Sequence, residues 1–228
     1  EKNYIIGIVA HDLKSPLNNL KGLLDVFKMR FTNPTEEQNK YMDLMSKSVE
    51  RMKSMISRIL DVNAVEQKDL NINMKEVDLA ELILNLVAEK KESAANKKIF
   101  IKTEFSDKKY LAKVDGEFYY QVMENLITNA IKFSPFDKNI YLKLQDDNGK
   151  VRTEVKDEGP GINDEERSKL FKKFSKLSAR PTNGESSTGL GLSIVKRYVE
   201  AMNGQVWCES QIGKGTSFIV EFEKPVSA

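Results

Sequence analysis

The chain has 228 residues, of which 40% are hydrophobic and 31% are charged, and its formal net charge is +2 at pH 7. This length predicts two modest domains, and the near balance of charge gives no argument for a nucleic-acid partner or an anionic membrane. The single cysteine, Cys208, excludes an internal disulfide, and the single histidine, His11, excludes a zinc site of three or four His and Cys ligands.

The first predicted element is a helix over residues 1 to about 31, in which apolar side chains recur at three- and four-residue steps. Pro16 lies inside this helix, about one and a half turns beyond His11, and we expect it to bend the axis. The sequence contains no apolar run of about 18 residues and no signal peptide. Because the chain opens in the middle of the predicted helix, we expect a fragment of a longer protein, cytoplasmic and without membrane contact of its own, from which an upstream region has been removed.

A second helix is predicted after the break at residues 32–35, with Thr35 as N-cap and Gln38 completing a capping box. The short turn makes the two helices an antiparallel hairpin, which cannot bury both of its apolar stripes alone. We therefore expect a homodimer through residues 1–67 that forms a four-helix bundle. Packing of the hairpin on the rest of its own chain is the alternative. The predicted seam of the second helix consists of Tyr41, Met45, Ser48, Met52, Met55, Ile59 and Val62.

Beyond a polar linker at residues 68–75, the pattern changes to mixed strands and helices over residues 76–228. A hairpin turn is predicted at Asp146-Asp147-Asn148-Gly149. Strands in hairpin order and helices on one face predict a two-layer sandwich. The expected strands are 75–77, 99–105, 110–114, 139–145, 151–156, 205–210 and 217–222, and the expected helices are 79–95, 116–133 and 190–202.

The helix over residues 116–133 carries a polar face made of Asn125, Asn129 and Lys132 at spacings of i, i+4 and i+7. Asparagine is unfavourable inside a helix, and two amide oxygens beside an ammonium group suit a hydrated Mg²⁺ and a phosphate chain. A solvated polar face explains the same spacing, so this pattern alone leaves both interpretations open.

Two glycine-bearing patterns follow. In Asp157-Glu158-Gly159-Pro160-Gly161, the glycines permit close approach to a flat ligand or a positive φ, and the carboxylate suits the exocyclic amine of a purine. Thr188-Gly189-Leu190-Gly191-Leu192 opens a helix whose amides suit phosphate oxygens. A Rossmann motif and a Walker A motif are excluded by the order of elements and by the lack of Gly-Lys-[Ser/Thr]. The polar stretch 163–187 between the two patterns predicts a mobile lid.

In this order the motifs resemble those of the sensor histidine kinases of two-component systems, and the resemblance covers essentially the whole chain. His11-Asp12-Leu13-Lys14-Ser15-Pro16 resembles the H box of that family. Residues 125–133 resemble the N box, and residues 157–161 resemble the first glycine box. Residues 171–174 resemble the F box, and residues 189–192 resemble the second glycine box. The implied fold class is α+β: the dimerising hairpin (1–67), the linker (68–75) and a two-layer α/β sandwich of the Bergerat (GHKL) type (76–228).

The resemblance implies a protein-histidine kinase in which His11 takes the γ-phosphoryl group of ATP and passes it to an aspartate in the receiver domain of a response regulator. Asp12 would orient or deprotonate the imidazole. The implied cofactors are ATP and Mg²⁺, and the removed region would be a sensor or a membrane anchor. In the implied nucleotide site, Asn129 is the metal ligand beside Asn125, and Lys132 neutralises phosphate charge. Phe133 contacts the base, and Asp157 accepts a hydrogen bond from the adenine amine. The other implied nucleotide-binding residues are Gly159, Gly161, Phe171, Phe174, Lys176, Thr188, Gly189, Leu190, Gly191 and Leu192.

Three positions distinguish this chain within the resemblance. Asn125 stands where ATP-hydrolysing members of the superfamily, such as type II topoisomerases and Hsp90 chaperones, carry a glutamate base, which favours transfer to His11 over hydrolysis. Ser187 stands where a further glycine is frequent. Ser15 stands where many members have Thr or Asn for dephosphorylating the regulator, and it predicts weak to moderate phosphatase activity. The alternatives are a GHKL conformational clamp and a phosphatase-type kinase that transfers poorly.

Overall fold

The computed structural model describes residues 2–30, 34–46, 48–49, 52, 56, 70–173, 175, 178–182 and 189–225, and for 2–12, 14, 15 and 147 it describes the backbone only. The chain divides into two compact units, Glu1–Lys68 and Asp69–Ala228. Across the described part of the chain, no helix combines the length and the apolar character needed to cross a membrane.

The first unit is an antiparallel helical hairpin. Helix α1 (Lys2–Arg30) continues through Pro16, and α2 comprises the helical residues 36–46, 48, 49, 52 and 56. The predicted capping box is confirmed, because Gln38 N donates to Thr35 Oγ1 at 3.2 Å and Thr35 N donates to Gln38 Oε1 at 2.8 Å. Lys28 Nζ lies 3.5 Å from Asp43 Oδ1, which joins the end of α1 to the start of α2.

The buried stripe of α2 differs from the predicted seam. Met42, Val49 and Ile56 are buried at seven-residue steps, and Leu17 of α1 joins Val49 and Ile56 in one apolar cluster. The seam positions Tyr41, Met45, Ser48 and Met52 are exposed, and Met55, Ile59 and Val62 lie outside the described residues. The prediction was wrong as a description of the contact within one hairpin. Because α2 has apolar side chains on two adjacent faces, periodicity alone does not tell which face meets α1.

The second unit contains the remaining elements, and the predicted helices and strands are found close to their expected bounds. The short helix α5 was not predicted. The helices are α3 (Leu79–Ala95), α4 (Gly116–Phe133), α5 (Asp164–Arg167) and α6 (Gly191–Ala201). The strands are β1 (Lys75–Asp78), β2 (Phe100–Glu104), β3 (Leu111–Val114), β4 (Asn139–Asp147), β5 (Lys150–Asp157), β6 (Gln205–Gln211) and β7 (Gly215–Glu223).

Five strands form one sheet in the order β2-β4-β5-β7-β6, and β1 pairs with β3 in a separate two-stranded sheet. The expected hairpin order holds for β4–β5 and β6–β7, but β2 pairs with β4 in parallel. The connection between the two strands explains this difference. Strand β3 pairs with β1 outside the main sheet, and α4 then leads back to the main sheet as a crossover, so that β4 runs in the same direction as β2. The turn between β4 and β5 has φ values of 47° at Asn148 and 79° at Gly149, the positive values that a type I′ hairpin turn requires.

The core lies between this sheet and a helical layer in which α4 packs between α3 and α6. Tyr119 is fully buried in α4, where its hydroxyl lies 2.8 Å from Thr153 Oγ1 and its ring packs edge-on against Phe222. The two-layer sandwich is thus confirmed. Other apolar residues of this unit buried to 1% exposure or less are Leu79, Ile83, Leu86, Ala112, Val114, Val122, Met123, Leu126, Ile127, Ile140, Leu142, Val151, Val155, Val195, Val199, Met202 and Val220.

Candidate functional site

Asp157, the last residue of β5, provides a buried carboxyl group at the end of the sheet and is 5% exposed. Its Oδ1 accepts hydrogen bonds from Gly159 N at 2.8 Å and from Thr216 N at 3.1 Å. Burial raises the pKa of this carboxyl to about 6, and the two backbone hydrogen bonds oppose the rise. Within the described part of the chain, Oδ2 accepts no hydrogen bond, so it can receive one from a ligand.

The glycines around Asp157 are required by close packing. Gly161 has a φ of 73°, and a Cβ there would overlap the carbonyl oxygen of Gln211. Gly215 has a φ of 93°, and a Cβ there would overlap the carbonyl oxygen of Asp157. Of the two roles predicted for the first glycine box, a positive φ is therefore observed at Gly161. Its direct neighbour is the turn between β6 and β7.

Sequence reasoning missed Gly215 and Thr216, which lie far from Asp157 along the chain but hold its carboxyl group and its carbonyl. Thr216 is buried, and its Oγ1 lies 3.0 Å from Ser210 Oγ, which in turn accepts from Ile162 N at 2.8 Å. The available signal was the glycine pair Gly213-Lys214-Gly215 immediately before a strand rich in apolar residues. It marks a tight turn and gives no indication of its partner.

Helix α4 presents the predicted polar face. Asn125, Asn129 and Lys132 are half-buried, whereas the opposite side of the helix is in the core. Asn125 Nδ2 donates to Gln121 O at 3.0 Å, and its Oδ1 is directed at the start of α6. A Cβ added to Gly191 would lie 2.9 Å from Asn125 Oδ1 and 4.0 Å from Asn129 Nδ2. The absence of a side chain at Gly191 therefore allows the two asparagines to face the first turn of α6.

The first turn of α6 lies against this face. Leu190, the residue preceding the helix, makes no side-chain hydrogen bond to the first turn, and Gly189 has a φ of 68°. The first amides of a helix lack intrahelical acceptors and carry a partial positive charge, which suits phosphate oxygens. Leu190 is 2% exposed, so its side chain packs in the core and does not line the site, whereas Leu192 is half-buried.

The end of α4 joins these parts. Phe133 is its last residue, and the Phe133 carbonyl oxygen would lie 3.2 Å from a Cβ on Gly159. Asn125, Asn129, Lys132 and Phe133 thus extend along one helix from the start of α6 to the Asp157 turn. One side of α4 therefore brings together amide oxygens, an ammonium group, the N-terminus of α6 and the turn that holds the buried carboxyl group.

The other predicted site residues are placed only in part. Phe171 packs edge-on against Phe218 with ring centroids 6.5 Å apart, so it serves at least as a packing residue. Phe174, Lys176 and Thr188 lie outside the described residues, as does Ser187. The predicted mobile lid therefore stays a prediction. At its start, Glu166 accepts hydrogen bonds from the backbone and the hydroxyl of Ser178.

His11, Asp12 and Ser15 lie on the helical backbone of α1, and their side chains are outside the described atoms. No group of three or more His, Cys, Asp and Glu side chains that could hold a metal ion occurs among the described residues. Cys208 is buried, and burial raises the pKa of its thiol to about 12, which makes it an unreactive packing residue.

Comparison with known families gives two matches. Residues 1–68 match the His Kinase A (phospho-acceptor) domain, and residues 114–226 match the family of histidine kinase-, DNA gyrase B- and HSP90-like ATPases. A similar curated protein is the sensor protein kinase WalK of Staphylococcus aureus, 27% identical over 222 residues. The alignment covers 96% of this chain and 53% of that sequence, so the chain spans about half the length of this relative.

Similar solved structures are also histidine kinases. Full-length ShkA in complex with AMPPNP matches with a TM-score of 0.78 and 26% identity over 98% of this chain and 47% of that chain. The catalytic domain of ThkA matches 67% of this chain and 96% of its own, with a TM-score of 0.59 and 29% identity. ThkA in complex with the response regulator protein TrrA matches 99% of this chain and 64% of that chain, with a TM-score of 0.65, and at 24% identity supports the fold alone.

Proposed function

Because the chain belongs to the sensor histidine kinases of two-component systems, we propose that it transfers the γ-phosphoryl group of ATP to His11 and then to an aspartate of a response regulator. The observation that carries this proposal is the meeting of α4 and α6. Gly191 brings the first turn of α6 against Asn125 and Asn129, at the far end of the same helix face from Asp157. The family domain over residues 114–226 is an ATP-binding domain, and this face is where we place the nucleotide.

Each side chain has a separate task in binding. Asp157 Oδ2 accepts a hydrogen bond from the exocyclic amine of adenine, and Phe133 contacts the ring. Lys132 and the first amides of α6 neutralise phosphate charge. Asn125 and Asn129 supply amide oxygens of the kind that Mg²⁺ accepts, with Asn129 as ligand. When bound, Mg²⁺ would neutralise charge on the phosphate oxygens.

Transfer of the γ-phosphoryl group to His11 requires a nucleophilic side chain, whereas hydrolysis of ATP requires a base that activates water. A neutral imidazole has a free lone pair, with which a His11 nitrogen attacks the γ-phosphorus. The nitrogen–phosphorus bond forms as the bond to the ADP oxygen breaks, and Asp12 orients the ring and accepts the proton that its other nitrogen loses. Asn125 cannot deprotonate water, which favours transfer over hydrolysis. Ser15 would orient a water for weak to moderate dephosphorylation of the regulator.

The hairpin supports dimerisation. Leu23 is 68% exposed, and the exposed apolar side chains of both helices form a surface that one hairpin cannot cover. We propose that a second copy covers it and completes a four-helix bundle. The other exposed large apolar residues of the hairpin are Leu13, Leu20, Val26, Phe27, Met29, Tyr41, Leu44, Met45 and Met52.

The decisive experiment is incubation with γ-labelled ATP and Mg²⁺. We expect acid-labile, base-stable label on the wild type and none on His11→Gln. Asn129→Ala should also lose the label, while the matched exposed variant Asn71→Ala keeps it. Label that survives His11→Gln would overturn the kinase proposal and favour a different acceptor. Loss of label from a phosphorylated regulator, compared between the wild type and Ser15→Ala, tests the phosphatase role; equal rates would reject it.

A further inference from the structure

Lys97 is a buried lysine in the tight turn between α3 and β2, at 2% exposure. A buried ammonium group is costly unless its donors are satisfied. Its Nζ donates to Ile131 O at 2.6 Å, to Lys132 O at 3.1 Å and to Thr182 Oγ1. Two of these acceptors are carbonyls in the last turn of α4, where a helix carries a partial negative charge. Lys97 therefore caps the C-terminus of α4.

Thr182 adds a second set of contacts to the same place. Its backbone N donates to Lys132 O at 3.0 Å, and its Oγ1 lies 2.8 Å from Ser134 O. A hydroxyl group has one proton and can also accept. Since Thr182 Oγ1 accepts from Lys97, its own proton is free for Ser134 O. The hydroxyl thus bridges the ammonium group and the segment that follows α4.

The contacts of Lys97 and Thr182 fix the part of α4 that faces the proposed nucleotide. Lys132 and Phe133 are the last residues of the helix, and the Phe133 carbonyl is adjacent to Gly159 in the Asp157 turn. A shift of this last turn would move both the phosphate-binding ammonium group and the wall of the base pocket. Thr182 also belongs to the polar stretch 163–187, so one lysine ties that stretch to the site.

We propose that Lys97 is a positioning residue of the nucleotide site, which acts through Thr182 and the last turn of α4 to set the affinity for ATP. The inference rests on the proposed function. Lys97 itself touches no reacting atom. Its loss should therefore raise the KM for ATP and leave kcat for His11 phosphorylation nearly unchanged.

The test compares matched variants of the full chain. Thr182→Val removes the hydroxyl at nearly constant shape, and Thr182→Ser restores it. Lys97→Met removes the ammonium group but keeps the aliphatic stem. Lys98→Met is its control, because Lys98 is the exposed neighbour in the same turn, and Thr103→Val is the exposed control for Thr182. Affinity for Mg·AMPPNP is measured by calorimetric titration, and stability by urea unfolding of each variant.

We expect Thr182→Val to weaken AMPPNP binding about fivefold, the change in an equilibrium constant that the loss of one hydrogen bond produces. Thr182→Ser and both control variants should stay within about twofold of the wild type. Lys97→Met should weaken binding further wherever it remains folded. Wild-type affinity in Thr182→Val, with any loss confined to stability, would overturn this inference and leave the proposed function intact. A wild type that binds no AMPPNP would overturn both.

Discussion

The two units of this chain close their cores in different ways. The second unit buries the inner sides of α3, α4 and α6 against its own sheet, and residues such as Leu126 and Val195 are fully inaccessible. Among the described residues of the hairpin, Leu17, Met42, Val49 and Ile56 are the buried apolar side chains, and more large apolar residues are exposed than buried. The second unit thus closes an apolar core of its own, whereas we expect the stability of the hairpin to depend on what covers its exposed apolar side chains.

The largest effect should come from placing a charge on the uncovered surface of the hairpin. Met45 is 45% exposed, so Met45→Glu would cost little in a lone hairpin. In a dimer it would bury an unpaired carboxylate in each copy and raise the dissociation constant at least about a hundredfold. Sedimentation equilibrium measures this constant. Lys40→Glu, on an exposed polar position of the same helix, is the control. A monomeric wild type, or a Met45→Glu variant that still dimerises, would contradict the comparison.

A second variant tests whether the buried carboxyl of the second unit serves binding rather than stability. Asp157→Asn keeps an oxygen for the hydrogen bonds from Gly159 N and Thr216 N but loses the charge. We expect nucleotide affinity to fall roughly 10- to 100-fold, as for a lost hydrogen bond to a charged group. The free energy of unfolding near neutral pH should not fall, because burial of the charged form is unfavourable. The exposed Asp107→Asn is the control for both quantities. A destabilised variant with normal affinity would show a structural carboxylate.

The carboxyl group of Asp157 also makes the free energy of unfolding depend on pH. Burial raises the pKa of Asp157 from 3.8 to about 6 in the folded chain. Between these values the folded state binds a proton that the unfolded state has lost, so stability falls as the pH rises. The favourable contribution is complete below the unfolded value and is lost as the pH rises through about 6. At about 1.4 kcal/mol per pH unit, it amounts to at most about 3 kcal/mol.

Urea unfolding of the wild type and of Asp157→Asn at several pH values measures this contribution. The free energy of unfolding of the wild type minus that of Asp157→Asn should decrease between about pH 4 and about pH 6 and then stay constant, because only the wild type loses this contribution. A constant difference across that range would mean that the carboxyl titrates normally. The subtraction removes the contributions of all other titrating groups that are common to both proteins.

Local sequence signals predicted the elements of both units better than the contacts between distant segments. The bounds of α3 and α4 follow from their periodicity, and the Thr35–Gln38 box follows from residues three apart. The burial of Lys97 and the bond from Thr216 to Asp157 join segments that only the fold brings together. Neither periodicity nor propensity carries information about such pairs. For the same reason, the polar face of α4 was predicted but its contact with Gly191 was not.

The smallest predicted effects come from the helix caps, which show the same contrast between the units. Asp115 caps α4, is 8% exposed, and accepts from Glu117 N, Phe118 N and Asn73 N. Thr35 caps α2 at an exposed position through its exchange with Gln38. We expect Asp115→Ala to lower the free energy of unfolding by about 2 kcal/mol and Thr35→Ala by about 1 kcal/mol.

Two probes separate these cap effects. Trp207, the one tryptophan of the chain, lies in β6, so its fluorescence reports the second unit, whereas helical circular dichroism reports both. Asp115→Ala should shift the fluorescence transition in urea, and Thr35→Ala should leave it in place while shifting part of the dichroism signal. Thr35→Ser, which keeps the hydroxyl, should restore that part. Thr35→Ala lowers the stability of the hairpin alone. If it moved the fluorescence transition as much as Asp115→Ala does, the two units would unfold together in one transition.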